Sequence, residues 1–127
     1  MTTDGAGRLL SGDALPATAR ALAALPAPPR WVGVNCVPAR RLLAELERLA
    51  AALPGHPLVA YGNTGQPLDD RDAFHAEPIE PEEYALLALS WVSLGAAFVG
   101  GCCGTDASFT AALSRALCAS PPGPQGK

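Results

Sequence analysis

Three short apolar runs, spaced by helical stretches, constrain the fold of this 127-residue chain most tightly. They are WVGVNC at 31–36, LVAY at 58–61 and AAFVG at 96–100. None alternates apolar with polar, so each predicts a strand buried on both faces, as in a parallel sheet. The stretches between them predict helices. Residues 13–25 begin with Asp13 as a candidate cap and Pro16 in the first turn, where its missing N–H costs little. The PAPP at 26–29 stops that helix. A second runs from Pro38 to about Leu53, with Leu42, Leu43, Leu46, Leu49, Ala50 and Leu53 at helical spacing. The PGHP at 54–57 breaks it, and residues 62–79 are irregular, rich in turn formers and acids. Pro81-Glu82-Glu83 begins a third helix to about Leu94, closed by Gly95. Thr105 or Asp106 caps a fourth, ending near Cys118. The order α-β-α-β-α-β-α predicts an α/β fold of βαβ units around a parallel sheet. Residues 1–119 form the expected domain, and SPPGPQGK at 120–127 has the composition of a disordered tail.

The net charge of −3 excludes whole functional classes. A nucleic-acid binder needs lysine and arginine gathered on one face. Here Arg40, Arg41 and Arg48 share their helix with Glu45 and Glu47, which predicts a solvated face. Tyr84–Thr105 carries no charge and is long enough to cross a bilayer. Gly95, Gly100, Gly101 and Gly104 interrupt it, so a buried helix followed by a strand is the expectation, not a membrane span. The N-terminus lacks the basic segment and apolar run of a secretory leader. Four cysteines without such a leader point to a reducing compartment, the cytoplasm, where thiols stay free for metals or chemistry.

In parallel sheets, functional groups gather where strands end and loops begin. Cys36 ends the first predicted strand, Asn63 follows the second, and Cys102 and Cys103 follow the third. Neighbouring strands lie about 4.8 Å apart, so these groups can converge above the sheet. Cys118 falls in the last helix, as a packed thiol. Adjacent cysteines bracketed by Gly100, Gly101 and Gly104 admit two buried thiols, a strained disulfide or a metal. Three thiolates around one point suit zinc with its fourth position open. Such a metal could bind a substrate thiol and keep it deprotonated near neutral pH. The chemistry served is attack by that sulfur on an activated methyl group.

With GVNC at 33–36, YGNTG at 61–65 and GGCCGT at 100–105, the chain resembles the homocysteine S-methyltransferase family. LLSGDALPATARAL also resembles the family's helix before GVNC, and Trp91 and Gly95 fit its passage into the last strand. The resemblance implies a (β/α)8 TIM barrel of which this chain covers the C-terminal portion, about three parallel strands with flanking helices. It implies Cys36, Cys102 and Cys103 as zinc ligands, with Asn63 beside the metal and able to fill its open position without substrate. It implies zinc-dependent methyl transfer to homocysteine, giving methionine, from a methyl donor that the motifs do not identify. The family's N-terminal DG-x-GT segment, which helps hold homocysteine, has no counterpart in this chain. Gly62 stands where the family has proline, a change expected to loosen the loop and alter little else.

A sheet missing its neighbours exposes edges that invite association. The implied reading is therefore a truncated or split family member, with a complementing chain or a second copy as partner. The alternative is a non-catalytic zinc-binding or interaction module. A third reading is a redox one, with a vicinal Cys102–Cys103 disulfide. Among single residues, His56 is expected at the surface. His75 lies in the long acidic loop over the barrel mouth, a candidate for substrate contact. Asp69, Asp70 and Asp72 form a solvated turn without the loop spacing of a calcium site. Trp31 and Tyr61 are expected in the core or barrel wall, and Asn35 to orient the turn carrying Cys36.

Overall fold

In the computed structural model of the chain, residues 1–64 and 79–119 are described. The expectations at Asp69, Asp70, Asp72, His75 and the 120–127 tail lie outside those residues. The elements follow the predicted order: α1 (Leu15–Ala23), β1 (Val32–Pro38), α2 (Ala39–Ala52), β2 (Leu58–Asn63), α3 (Pro81–Ser93), β3 (Ala96–Gly101) and α4 (Ala107–Ala119). The strands form one parallel sheet in the order β1-β2-β3.

Strand alternation explains the two faces of this sheet. Val32, Val34, Leu58 and Ala60 are buried on the face that meets the helices. α2 packs across β1 and β2, α3 and α4 lie against β3, and α1 runs along α2. Leu42, Leu46 and Leu49 on α2 are wholly buried, each contributing about 2 kcal/mol of apolar burial. The other face carries Val59 and the exposed Trp31, Tyr61 and Phe98, with no helix over it among the described residues. Trp31 and Phe98 stack edge to face there at 5.2 Å. These aromatics therefore sit on a wall and not in the core.

Several local expectations are corrected. α1 takes Ala14 as its N-cap with no side-chain bond, because Asp13 is engaged by the Ser11 hydroxyl instead. Glu45 is not on a solvated face: it is fully buried and paired to Arg48 at 2.6 Å. The N-terminal residues explain this. They fold back over α2 through the isolated bridges Thr3↔Leu9 and Arg8↔Ala14, and the Arg48 side chain packs against Gly7. Met1 extends the β1 edge, its amine donating to the Gly33 carbonyl at 2.8 Å and its carbonyl accepting from Asn35 N–H at 2.7 Å. His56 is half-buried, with Nε2 enclosed and unpartnered among the described residues. No described helix is long and apolar enough to cross a membrane.

Candidate metal centre

All three strands deliver their groups at one end of the sheet. At the end of β1 the ladder slips between Asn35 and Val37, and Cys36 occupies that bulge with φ of 62°. The left-handed region is unfavourable for a residue with a side chain and recurs where function demands a particular direction. Here it turns the Cys36 thiol toward the end of β3. The Asn63 amide, from the end of β2, steadies the bulge by donating to the Cys36 carbonyl at 3.0 Å. That hold comes from Asn63, where Asn35 was expected to orient the turn.

β3 redirects its thiols differently. Its last residue, Gly101, leads into a turn through Cys102 and Cys103 to Gly104, whose φ is 78°. A Cβ on Gly104 would overlap the Thr64 hydroxyl. The turn is bonded to β2 at both ends: Cys102 N–H donates to the Gly62 carbonyl at 2.9 Å, and Thr64 N–H to the Cys103 carbonyl at 3.1 Å. The Thr105 hydroxyl closes it by donating to the Cys102 carbonyl at 2.6 Å. Asp106 then caps α4, accepting from the Ser108 hydroxyl at 2.5 Å and from Ser108 N–H at 2.8 Å, which together hold its carboxyl below the usual range.

The result is a cluster of Cys36, Cys102 and Cys103 whose sulfurs lie within 4.8 Å of one another. Cys36 and Cys103 are 3.4 Å apart and Cys102 and Cys103 are 3.9 Å apart. Three thiolates bound to one tetrahedral zinc at about 2.3 Å would have sulfurs about 3.8 Å apart, so the donor set fits that ion in both chemistry and spacing. Asn63 Nδ2 lies 3.9 Å from the Cys36 sulfur. All four cysteines are free, and the Cys102–Cys103 pair is not bridged. Cys118 is exposed near the end of α4, not packed as expected. Cysteine is short enough to ride the outward side of a helix without disturbing the apolar stripe.

The thiols titrate apart. Desolvation works against ionisation of Cys36, but hydrogen bonds from Cys102, Cys103 and Asn63 outweigh it and bring the thiol below its ordinary value. Cys102 moves the other way, pushed up to about 11 by burial and by its bond to Cys36. In the metal-free cluster Cys36 therefore gives up its proton more readily than Cys102.

Two contributors escaped the sequence reading. Thr64, whose Oγ1 is buried and unpartnered among the described residues, fills the space that Gly104 leaves. Tyr84, in the first turn of α3, sends its hydroxyl beneath the strand ends, accepted by the carbonyls of Gly62 at 2.9 Å and Gly100 at 2.7 Å. The signal was a tyrosine heading the apolar run 84–89 of α3: its buried hydroxyl needs a partner. Gly62 is likewise no loosened loop residue; it is buried and walled by Tyr84, Ala39 and Trp91.

Comparison with known proteins places this geometry. The family described as Homocysteine S-methyltransferase matches residues 1–117. Homocysteine S-methyltransferase 1 of Arabidopsis thaliana is 34% identical over 88 residues, covering 68% of this chain and 27% of the relative. The Saccharomyces cerevisiae enzyme of the same name is 30% identical, again over 27% of its length. Among solved structures, the homocysteine methyltransferase MmuM from Escherichia coli in its oxidized form superposes with a TM-score of 0.68 at 29% identity, over 90% of this chain and 33% of that one. Its metallated form superposes with a TM-score of 0.63. The three strands and their helices thus correspond to part of a homocysteine methyltransferase TIM barrel, and the chain spans about a quarter to a third of the length of these relatives. On fold, motif and match together, this chain belongs to the homocysteine S-methyltransferase family.

Proposed function

We propose that the chain provides the zinc-holding, thiol-activating wall of a homocysteine methyltransferase site, serving methyl transfer to homocysteine to give methionine. The supporting observation is the convergence of three sulfurs from two strand ends within 4.8 Å, on a β2 end that contributes Asn63. Cys36, Cys102 and Cys103 would hold the ion. Bound there, zinc would keep its ligands as thiolates and offer a fourth position to an incoming thiol, lowering that thiol's pKa. The chain's own part is positional. The bulge and Asn63 aim Cys36, while the Gly101–Gly104 turn and Thr64 aim the adjacent pair. Asn63 lies against this group, where it can neighbour the ion or a ligand.

The groups that hold the amino-acid end of homocysteine and the methyl donor would come largely from polypeptide outside these three strands, whether further along the same protein, in a complementing chain or in a second copy. The cluster needs a reducing compartment, and we place the chain in the cytoplasm. The test is homocysteine addition to the cobalt-substituted chain. A change in its sulfur-to-cobalt absorption bands, absent with homoserine, supports thiol binding at the open position. Unchanged bands at millimolar homocysteine favour the second reading, a zinc-binding or interaction module without turnover. The uncovered aromatics Trp31, Tyr61 and Phe98 supply an association surface for that reading.

A further inference from the structure

Among the described residues, the buried Tyr84 is the one side chain that ties the β2 and β3 ends together through both carbonyls, as described above. Its ring is locked edge to face against Trp91 at 5.4 Å and Phe109 at 5.5 Å, so the hydroxyl cannot swing away without disturbing two helices. The Gly62 carbonyl also accepts Cys102 N–H, and the next residue, Asn63, holds the Cys36 carbonyl. From the phenol oxygen, one path runs through Gly62 and Asn63 to Cys36, and the other through Gly100 and Gly101 to Cys102. A side chain at residue 62 would crowd the hydroxyl: a Cβ there would stand 3.0 Å from Tyr84 Oη and 3.2 Å from Ala39 Cα, so the phenol would have to give way by a few tenths of an ångström.

We infer that Tyr84 is a positioning residue for the thiol cluster. Its hydroxyl, seated in the space left by Gly62, fixes the separation of the strand ends that aim Cys36 at Cys102 and Cys103. One phenolic proton is shared between two carbonyls, so the link draws both strands toward one point and leaves each ladder bond in place. Burial raises the phenol's pKa, keeping that proton on the oxygen. The inference rests on reading the three thiols as one site, and the test separates the two.

Arsenite, which takes three thiolates in a pyramid, reads the cluster without zinc or substrate. Tyr84→Phe in the full chain should weaken arsenite binding about tenfold and cobalt binding by a similar factor, as loss of a ligand-supporting group does elsewhere. It should also alter the cobalt absorption bands. Leu49→Ala, remote from the cluster, should lower the melting temperature at least as much yet leave arsenite affinity within about twofold. Gly62→Ala is the second variant. It should weaken arsenite binding in the Tyr84 background and have a smaller effect beside Tyr84→Phe. Lower melting with unchanged arsenite affinity in both Tyr84→Phe and Gly62→Ala would overturn the inference. A wild-type chain that binds arsenite, responds to Tyr84→Phe and takes up no zinc would sink the metal reading alone.

Discussion

The ends of β1 and β3 solve one problem by opposite means. Each must swing a cysteine out of a parallel strand toward a shared point. β3 does so with glycines, ending at Gly101 and turning at Gly104, so its backbone reaches the required angles without strain. β1 has no glycine at its bulge and puts Cys36 itself at φ of 62°, held by the amide of Asn63. The thiol-bearing position and the left-handed position coincide in β1 and are separate in β3. Substitutions should therefore act in opposite directions at the two ends.

The largest effect falls on the glycine side. Gly104→Ala combines a φ of 78° with overlap on Thr64 and should lower unfolding free energy by about 3 kcal/mol. Denaturant titration checks this, and Gly104→Ala beside Thr64→Ser should not restore it, since the backbone strain remains. Asn63→Ala removes the support of the bulge and leaves the Cys36 carbonyl without that donor. It should cost about 1–2 kcal/mol and weaken cobalt binding about tenfold by absorbance titration. Cys36→Gly should do the reverse to the metal-free chain. Relieving the left-handed residue outweighs the added freedom of the unfolded glycine, so stability should rise by about 0.5–1 kcal/mol while metal uptake is lost. A fall in metal-free stability would show that Cys36 is not under strain.

The smallest effect is electrostatic. Thiolate absorbance of the metal-free chain should show one cluster proton leaving below the ordinary thiol value of 9.0 and another near pH 11. A depressed thiol adds stability above its unfolded pKa and loses it as pH falls through the folded one; a raised thiol adds stability below its unfolded pKa and loses it as pH rises. Stability from Cys36 should thus fade on acidification, and that from Cys102 between pH 9.0 and about 11. Cys102→Ser should abolish the upper step.

Much of this was legible in the residues. Non-alternating apolar runs gave the strands, because buried parallel strands have no polar face. The strand-end rule alone brings Cys36, Asn63, Cys102 and Cys103 to one end of the sheet. What escaped depends on contacts distant in sequence. The bulge at Cys36 follows from its register with β2 and the Asn63 bond. Burial of Glu45 follows from the N-terminal segment folding over α2, and confinement of Gly62 from Tyr84 and Trp91. No local pattern reports such neighbours.

Zinc content per chain, after purification under reducing conditions, tests the central claim most directly. Convergence of the two strand ends predicts about one zinc per chain, lost in Cys36→Ser and retained in Cys118→Ser. A folded wild-type chain without zinc, even after incubation with the ion, would contradict it.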